Sequence, residues 1–435
     1  MTAPLAPIRF APERALIDQL FDRFGLDILI EHFVDSGGAR SAYEAVLGSQ
    51  LRLTPLLAPR LSAIVEEVRA KLAFDEPLEL FVGQDASVNA GAMHRIGPDE
   101  SHVLSLTSAL VERMSDAELR FVVGHEVGHL AWRHYQSRLA AAAFGEDDIG
   151  RSKAPPLLLR RLESWDRMAE ISADRAGFLV IDGDLSVAVS AFFKIQSGLG
   201  PEHLRFDIQA FLDQLETLQR LERRELLAQF SHPATPIRVR ALQLFGEALA
   251  RGEPVASVDH EVETLARLMD YSPSEPLDVN AREFLLAGGM LVANADFEAM
   301  ADSEWQALVE LLLPLSADPE REVGRIESRE HAEEILERSA AWLRDNAGSE
   351  RYELLRGLAH VAAADGKLSV PERELLRHVA EKLDIPARAA DQIAFETLAD
   401  RLQTQLGRGM VVPHLASRPH PPARTSEPPS APPKH

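Results

Sequence analysis

The chain has 435 residues, more than one domain of about 100 to 200 residues needs, so we expect two or three domains. Apolar residues make up 46% and charged residues 26%, the mix of a folded globular protein. Acidic side chains outnumber basic ones 68 to 46, and the formal charge of -22 disfavours a nucleic-acid partner held through its phosphates. The absence of cysteine excludes disulfides, thiolate metal sites and cysteine nucleophiles.

The first residues lack the basic segment and apolar core of a secretory signal. No stretch reaches the roughly 18 to 20 apolar residues that span a bilayer. We therefore expect no transmembrane segment and a cytoplasmic location. The acidic net charge also disfavours contact with anionic lipid headgroups.

Apolar residues at spacings of three and four predict helices from about residue 11 to 72. Three short segments with strand patterns follow, at 77–83, 88–93 and 102–106. From Ser115 the helical pattern returns and continues for most of the chain. The predicted fold class is α+β, mainly α with a small β-sheet.

The stretch FVVGHEVGHLAW places two histidines four residues apart, with a glutamate beside the first. Ser115 and Glu118 have the spacing of a capping box, which predicts that a helix begins there. His125 and His129 then lie one turn apart on one face, where two imidazoles can bind one metal ion, for which zinc is the natural choice. Glu126 would stand beside the attacking water without ligating the metal, as a general base must.

A third ligand is expected on the segment SWDRMAEISADRAGF, because a catalytic zinc takes three protein ligands and keeps one position open. Glu170 and Asp174 lie four residues apart on a second predicted helix and share a face. We expect Glu170 to bind the metal, one zinc ion per chain. Asp174 should hydrogen-bond the far ring nitrogen of a ligand histidine and so fix its tautomer.

The alternative is a pair of core histidines without a metal, because a motif as short as HExxH also arises by chance. The second helix argues against this alternative. So do Gly124 and Gly128, which thin the first helix where another backbone can approach. The other histidines have no partner at ligand spacing and are expected in surface or structural positions. They include His94, His102, His134 and His360.

From about residue 50 to 245 the chain resembles the M48 family of HExxH zinc peptidases, which includes the HtpX and CAAX prenyl proteases. Family members pair HExxH with a later ExxxD helix, as the positions above do. They also carry an Asn-Ala segment upstream, matched by Asn89 and Ala90, which the resemblance implies lies on an edge strand that pairs with substrate backbone. The best-known members are integral membrane proteins, so the lack of such segments here argues against a membrane-embedded substrate.

The family also carries a His-Pro segment followed by an arginine, matched here by SHPATPIR. The resemblance implies that His232 and Arg238 contact the substrate carbonyl and stabilise the oxyanion. The alternative for these two residues is a helix start at a proline followed by a surface arginine.

A second resemblance lies further along, where AHVAAADGKLSVPERELL is similar to the TerB domain of tellurite-resistance proteins. A weak repeat relates 285–312 to 355–383, each an apolar helix, an Ala-Asp turn and a helix opened by a glutamate. The resemblance implies a helical domain that serves in stress-linked assemblies, and so a protein partner. Asp365 and Glu372 could belong to a calcium loop, but the run lacks alternating oxygen ligands and favours a helix-connecting turn.

The predicted organisation is a helical segment at 1–50, a zincin-like peptidase domain at 51–250, a linker at 251–278, a TerB-like all-α domain at 279–398 and a Pro-rich disordered tail at 399–435. The leading interpretation is a soluble zinc-dependent endopeptidase that acts on a protein or peptide substrate. The rival is a catalytically weak peptidase-fold scaffold or stress-response assembly protein. The complete set of base and ligands favours the enzyme, because pseudoenzymes commonly lose one of them.

Overall fold

The computed structural model shows a mainly helical chain with one small mixed sheet, so the predicted fold class is confirmed. The described residues are 5–37, 40–95, 97, 100–145, 156–205, 207–220, 232–269, 276–295, 300–312, 315–316 and 319–409. Among them, no helix combines the length and the apolar character needed to cross a membrane.

The N-terminal half, up to residue 269, contains the sheet. Its strands are β1 (Leu51–Leu53), β2 (Leu78–Gly83), β3 (Ala90–Met93) and β4 (His102–Thr107). Its α-helices are α1 (Ala11–Phe24), α2 (Leu26–Asp35), α3 (Arg40–Ser49), α4 (Pro59–Leu72), α5 (Ser108–Arg113), α6 (Asp116–Ala131), α7 (Gln136–Ala143), α8 (Pro156–Val180), α9 (Leu185–Ser197), α10 (Ile208–Gln219), α11 (Thr235–Arg251) and α12 (Asp259–Ala266). Short 3-10 helices lie at Ala6–Ile8, Val255–Val258 and Arg267–Met269.

The C-terminal half, from residue 276, is helical throughout its described part. Its helices are α13 (Pro276–Ala293), α14 (Asp302–Leu312), α15 (Pro319–Val323), α16 (Arg329–Asn346), α17 (Glu350–Ala362), α18 (Val370–Lys382) and α19 (Ala387–Gly409).

The sheet has the strand order β1-β2-β4-β3, with β2 and β4 parallel and the outer strands antiparallel to their neighbours. Leu104 and Leu106 of β4 lie in one apolar cluster with side chains of α4 and α6, so the sheet is covered by these helices. The strands predicted at 77–83, 88–93 and 102–106 are β2, β3 and β4. β1 was not predicted, because three residues are too few to show an alternating pattern.

Glycines let α6 and α8 approach more closely than side chains would allow. A Cβ atom on Gly177 would lie 2.6 Å from the carbonyl oxygen of Phe121, and one on Gly128 would lie 2.9 Å from the Cβ of Ala176. Gly124 meets the backbone of Gly177 in the same way. The close approach predicted at the two glycines of the HExxH helix is confirmed, and it brings the second motif helix against the first.

The segment predicted as a linker, 251–278, contains helical turns at Val255–Val258, Asp259–Ala266 and Arg267–Met269, where no regular structure was expected. Val258, Val262, Leu265 and Met269 are buried in an apolar cluster with α8 and α11. Their spacings of four, three and four residues are helical, but the prolines and acidic residues around them hid the pattern. Residues 255–269 therefore pack with the N-terminal half.

The C-terminal half has an apolar core of its own, which includes Phe284, Leu336 and Leu358 and shares no residue with the clusters of the N-terminal half. The predicted tail begins too early, because α19 continues to Gly409. Residues 410–435 lie outside the described part. The division into separately folding domains stays a prediction.

The predicted repeat corresponds to the pairs α13–α14 and α17–α18. In both pairs a glutamate accepts a hydrogen bond from the N–H that precedes the second helix: Glu304 from Ala301, and Glu372 from Ser369 at 2.6 Å. Glu372 thereby completes a capping box with Ser369. This supports the helix-connecting turn over a calcium loop, because the carboxylate is already used by the backbone.

Candidate metal centre

The HExxH helix α6 starts where the sequence predicts. The Ser115 hydroxyl accepts a hydrogen bond from the Glu118 N–H, and the Glu118 carboxylate accepts one from the Ser115 N–H at 2.7 Å. Lys194 of α9 donates to the same carboxylate at 2.7 Å. This start places His125 and His129 one turn apart on one side of the helix.

Three predicted ligands converge at the crossing of α6 and α8. His125 Nε2 lies 3.0 Å from His129 Nε2. Glu170 Oε2 lies 3.4 Å from His125 Nε2, and Glu170 Oε1 lies 3.3 Å from His129 Nε2. Asp174, one turn further along α8, lies 2.9 Å from the other ring nitrogen of His125, Nδ1. These are the relations that the two spacings of four residues predicted.

The geometry fits a zinc ion. Ligand atoms at about 2.0 to 2.1 Å from a tetrahedral ion lie roughly 3.3 to 3.4 Å from one another, close to the separations found here. Glu170 Oε2 is buried and has no hydrogen-bond partner, although charged nitrogens of His125 and Arg238 lie 3.4 and 3.3 Å away. A buried carboxylate oxygen of this kind is satisfied by a metal. His125, His129 and Glu170 could therefore hold one ion.

The electrostatics of the centre favour a cation. Burial alone would lower the pKa of His125, but its hydrogen bonds with Asp174 and Glu170 raise it to about 10. Burial alone would raise the pKa of Glu170, yet Arg238 and His129 hold it well below its usual range. The carboxylates of Asp174 and Glu170 thus favour a positive charge at His125. In the metal-free site that charge is a proton, and a bound metal ion would replace it.

Arg238 of α11 lies behind the ligands. Its Nε and Nη2 donate to the two oxygens of Asp174 at 2.8 and 2.6 Å, and its Nη1 lies 3.3 Å from Glu170 Oε2. Its guanidinium also lies over the ring of Phe192, 4.6 Å from the centroid. Burial would lower the pKa of Arg238, but the carboxylates of Asp174 and Glu170 raise it. In this position the donors of Arg238 orient the carboxylates of Asp174 and Glu170, and the expected substrate contact stays a prediction.

His232 lies on the more open side of the same carboxylate. Its Nε2 is 3.4 Å from Glu170 Oε1, and 53% of its side chain is exposed. The Glu170 carboxylate acts to raise the pKa of His232. Burial and the positive charge of Arg238 act to lower it and outweigh the carboxylate, so the pKa lies below its ordinary value. Glu126 follows His125 in α6 and is buried, within electrostatic reach of Arg238. The two residues of the His-Pro segment are thus separated, one at the opening and one behind the ligands.

The Asn-Ala segment lies at the edge of the sheet, as the resemblance implied. Ala90 opens β3, which is the end strand of the sheet order and packs against α6. Asn89 stands just before the strand, where its N–H donates to the Thr107 hydroxyl at 3.0 Å and its side-chain oxygen accepts from the Ala90 N–H at 2.9 Å. An edge strand beside the HExxH helix can add a peptide strand by backbone hydrogen bonds.

His134, which was expected in a surface or structural position, is buried beside a ligand histidine. Its Nδ1 lies 2.9 Å from Nδ1 of His129, and its Nε2 faces the buried carboxylate of Glu13 at 3.7 Å. Burial lowers the pKa of His134 to about 4, so its ring is neutral. The contact between His129 and His134 could have been suspected, because His134 follows the second histidine of HExxH by five residues, at a helix end. Nothing local in the sequence indicated Glu13 as a partner.

His94 and His102, also expected in surface or structural positions, lie beside each other with ring centroids 4.3 Å apart. With Glu76 they form a second group of side chains that could hold a metal. The register of β2 on β4 produces it, since Leu78 pairs with His102 and Glu76 lies two residues before Leu78. However, one oxygen of Glu76 already contacts His102 Nε2 and the guanidinium of Arg95, both at 3.0 Å. This group is therefore a hydrogen-bonded ion pair that fixes the sheet.

The crossed pair α6 and α8 thus presents two histidines and a glutamate that could hold a metal ion, with a second glutamate next to the first histidine in sequence. Residues 55–147 match the family model of Peptidase family M48, and residues 282–394 match that of the tellurite resistance protein TerB. The resemblance to both families is therefore confirmed. The M48 match contains His125, Glu126 and His129 and ends before α8.

A curated relative is similar to part of the chain. The plastoglobule-localized metallopeptidase 48 of the Arabidopsis thaliana chloroplast is 27% identical over 202 residues, which is 43% of this chain. The match covers 57% of that relative, so the chain spans little more than half of its length. No solved structure matches the chain.

Proposed function

We propose that the protein is a zinc-dependent endopeptidase. The observation that carries the proposal is the convergence of His125, His129 and Glu170, whose ligand atoms lie 3.0 to 3.4 Å apart beneath the edge strand β3. The M48 match over the HExxH helix and the similarity to a metallopeptidase support it.

Each residue then has a distinct task. Bound zinc would polarise the scissile carbonyl and lower the pKa of its water to about 7. Glu126 takes a proton from the attacking water and gives it to the leaving amine. His232, half exposed beside Glu170, is placed to donate to the developing oxyanion. Asp174 and Arg238 hold the ligands in place, since their hydrogen bonds fix the orientation of His125.

The substrate is a protein or peptide that binds as an added strand on β3, with Asn89 and Ala90 at its start. The TerB-like half serves as an accessory domain that binds a protein partner. We also propose that the enzyme works in the cytoplasm on soluble or peripheral substrates, since its charge of -22 repels anionic headgroups. Recovery of the protein mainly in a carbonate-resistant membrane pellet would refute this location.

The test combines metal analysis with a casein hydrolysis assay on the wild type and Glu126→Gln. Because removing a general base leaves the ligands intact, hydrolysis should fall by about 10²- to 10⁴-fold while one zinc per chain is retained. Glu112→Gln, the same change at an exposed position of α5, is the control and should leave both unchanged.

Two results would contradict the proposal. Wild-type protein without stoichiometric metal, or with metal content unchanged in His129→Ala, would remove the metal site. Stoichiometric zinc with no hydrolysis of casein or unfolded proteins, in either the wild type or the variant, would favour a scaffold that retains the peptidase fold.

A further inference from the structure

The outward-facing nitrogen of His129 is held by a second histidine. Nε2 of His129 faces the other ligands, while its Nδ1 lies 2.9 Å from Nδ1 of His134, with the two rings nearly perpendicular at 79°. His134 is buried, and its ring also packs edge-on against the indole of Trp165. The contact is therefore fixed by packing and not by a surface side chain that can turn away.

The backbone at the end of α6 brings these two histidines together. The N–H of His134 donates to the carbonyl of His129 at 3.0 Å, and the N–H of Arg133 donates to that of Leu130 at 3.2 Å. This is a Schellman ending, in which the residue after the left-handed position lies over the helix's last turn. Arg133 takes the left-handed position with φ of 59°, where glycine is usual. A non-glycine residue in this region costs roughly 1 kcal/mol or more, and such strain concentrates at functional sites.

The far side of His134 faces a carboxylate that belongs to the first helix of the chain. Glu13 of α1 is fully buried and receives hydrogen bonds from Arg9 at 2.7 Å and from Trp165 Nε1 at 2.8 Å. Its Oε1 is 3.7 Å from Nε2 of His134, a buried nitrogen that has no closer acceptor. Ser172 of α8 adds a third donor to Glu13 at 3.1 Å.

We propose that His134 and Glu13 are positioning residues for His129, so that α1, which lies outside the segment matched to M48, anchors the metal centre. This inference rests on the proposed function, since it assigns the residues a task in holding a metal ligand. It gives the two ligand histidines equivalent support. His125 is oriented directly by Asp174, and His129 is oriented by Glu13 through His134.

The proton positions along this chain are fixed by the chemistry of a metal ligand. A histidine that binds metal through Nε2 carries its proton on Nδ1, so His129 donates to Nδ1 of His134. His134 must then accept at Nδ1 and carry its own proton on Nε2, which faces the Glu13 carboxylate. The negative charge of Glu13 therefore makes His134 a better acceptor and His129 a better ligand.

The test measures zinc affinity of the full chain by competition with a chromophoric chelator, and the absorption spectrum of the Co²⁺-loaded protein as a report of ligand geometry. His134→Phe should weaken zinc binding by about 10- to 100-fold and alter the Co²⁺ spectrum, because Nδ1 of His129 loses its acceptor. His134→Asn, whose amide can accept at the same position, should recover most of the affinity.

His94→Phe is the matched control. His94 stacks on Tyr135, the neighbour of His134, but its Nδ1 contacts the carbonyl of Arg95. This variant should bind zinc as the wild type does. Thermal unfolding of the metal-free variants distinguishes a positioning role from a purely structural one. A purely structural role would lower the stability of the variants and leave their zinc affinity unchanged.

Should His134→Phe fail to fold, Glu13→Gln provides the measurement, because it keeps the shape of the side chain and removes only its charge. Glu13→Gln should weaken zinc binding by about 10-fold, the lower end of the range expected for His134→Phe. Wild-type affinity in His134→Phe, or in a folded Glu13→Gln, would overturn the positioning role while leaving the enzyme proposal intact. Absence of zinc from the wild type would overturn both.

Discussion

The two halves of the chain bury different kinds of side chain between their helices. Among the described residues, the N-terminal half buries many charged groups and histidines: Glu13, His102, Glu118, His125, Glu126, His134, Arg161, Arg167, Glu170, Asp174, Arg175, Lys194 and Asp259. The C-terminal half buries only Asp278, Glu304 and Glu372. Two of these three, Glu304 and Glu372, bond to backbone N–H groups at helix starts.

Both halves nevertheless use glycine to bring helices together. In the N-terminal half Gly128 and Gly177 admit another backbone, and the crossing they create carries the charged ligands. In the C-terminal half Gly288 and Gly357 face leucine side chains, and the contact stays apolar. Similar packing thus encloses polar chemistry in one half and a dry core in the other.

This difference indicates where function resides. A buried charge lowers stability unless it is paired, and apolar side chains of the same volume would often be as stable or more so. Some of these groups have structural tasks, such as Glu118 in the capping box and Arg175 with Asp259, but His125, Glu170 and Asp174 gather at the crossing of α6 and α8, as at a site built for chemistry. The C-terminal half shows no comparable site among its described residues, which agrees with an accessory task.

The largest effect should come from breaking a buried ion pair in the N-terminal half. Arg175 of α8 donates to Asp259 of α12 at 2.6 Å, and their side chains are 1% and 7% exposed. Asp259→Ala leaves the guanidinium buried without its partner, so we expect a loss of about 3 to 5 kcal/mol in the free energy of unfolding. Denaturant unfolding of the full chain, followed by circular dichroism, measures it.

The matched change in the C-terminal half is Asp391→Ala. Asp391 receives two hydrogen bonds of 2.6 Å from Arg377, but the two side chains are 36% and 40% exposed. Solvent screens this pair, so the loss should stay below about 1 kcal/mol. Equal losses for the two variants would refute the contrast, and a small loss for Asp259→Ala would favour the predicted linker over a firmly packed segment at 255–269.

Much of the fold could be predicted because it depends on local spacing. Each of these local features is visible within a few residues of sequence: the capping box at Ser115, the one-turn spacings of the two motifs and the glycines of α6. The small-residue face of α6 even predicted that another helix would approach it. These features are decided by backbone geometry, which a short stretch of sequence already determines.

The missed features depend on contacts between distant parts of the chain. Glu13 lies more than a hundred residues from His134, and Asp259 lies 84 residues from Arg175. Neither Glu13 nor Asp259 belongs to a periodic pattern in the sequence. The burial of a single charged residue depends on the segments that pack around it, so it could not be predicted from the local sequence. Arg238 was found from the family motif, but its pairing with Asp174 required the structure.

An intermediate effect should follow from filling the glycine contact at the metal centre. Gly177→Ala would place a Cβ 2.6 Å from the Phe121 carbonyl, so α6 and α8 must separate. We expect a loss of about 1 to 3 kcal/mol in stability and weaker zinc binding, because Glu170 moves with α8. Denaturant unfolding and chelator competition on one preparation give both quantities.

Gly357→Ala is the control in the apolar half. Its Cβ would lie 3.0 Å from a terminal methyl of Leu311, which can rotate away, and alanine is about 1 kcal/mol better than glycine in a helix. Stability should therefore stay near that of the wild type, with zinc affinity unchanged. Weaker zinc binding in Gly357→Ala, or wild-type binding in Gly177→Ala, would contradict the view that the two crossings serve different ends.

The smallest effect is a pH dependence confined to the N-terminal half. Burial lowers the pKa of His94 and of His134 to about 4, whereas an unfolded histidine titrates near 6.5. Between these values the unfolded chain binds more protons at these two positions, so their contribution to stability is complete above about pH 6.5 and is lost as the pH drops toward 4. Asp166 opposes this loss of stability at low pH, because burial raises its pKa to about 6 and the folded state therefore takes up a proton before the unfolded state does.

Thermal unfolding of chelator-treated protein between pH 4 and about pH 6.5 should show the decline in stability in the N-terminal transition. The decline should be less steep in His94→Phe and steeper in Asp166→Asn. A slope that these two substitutions leave unchanged would contradict the assignment.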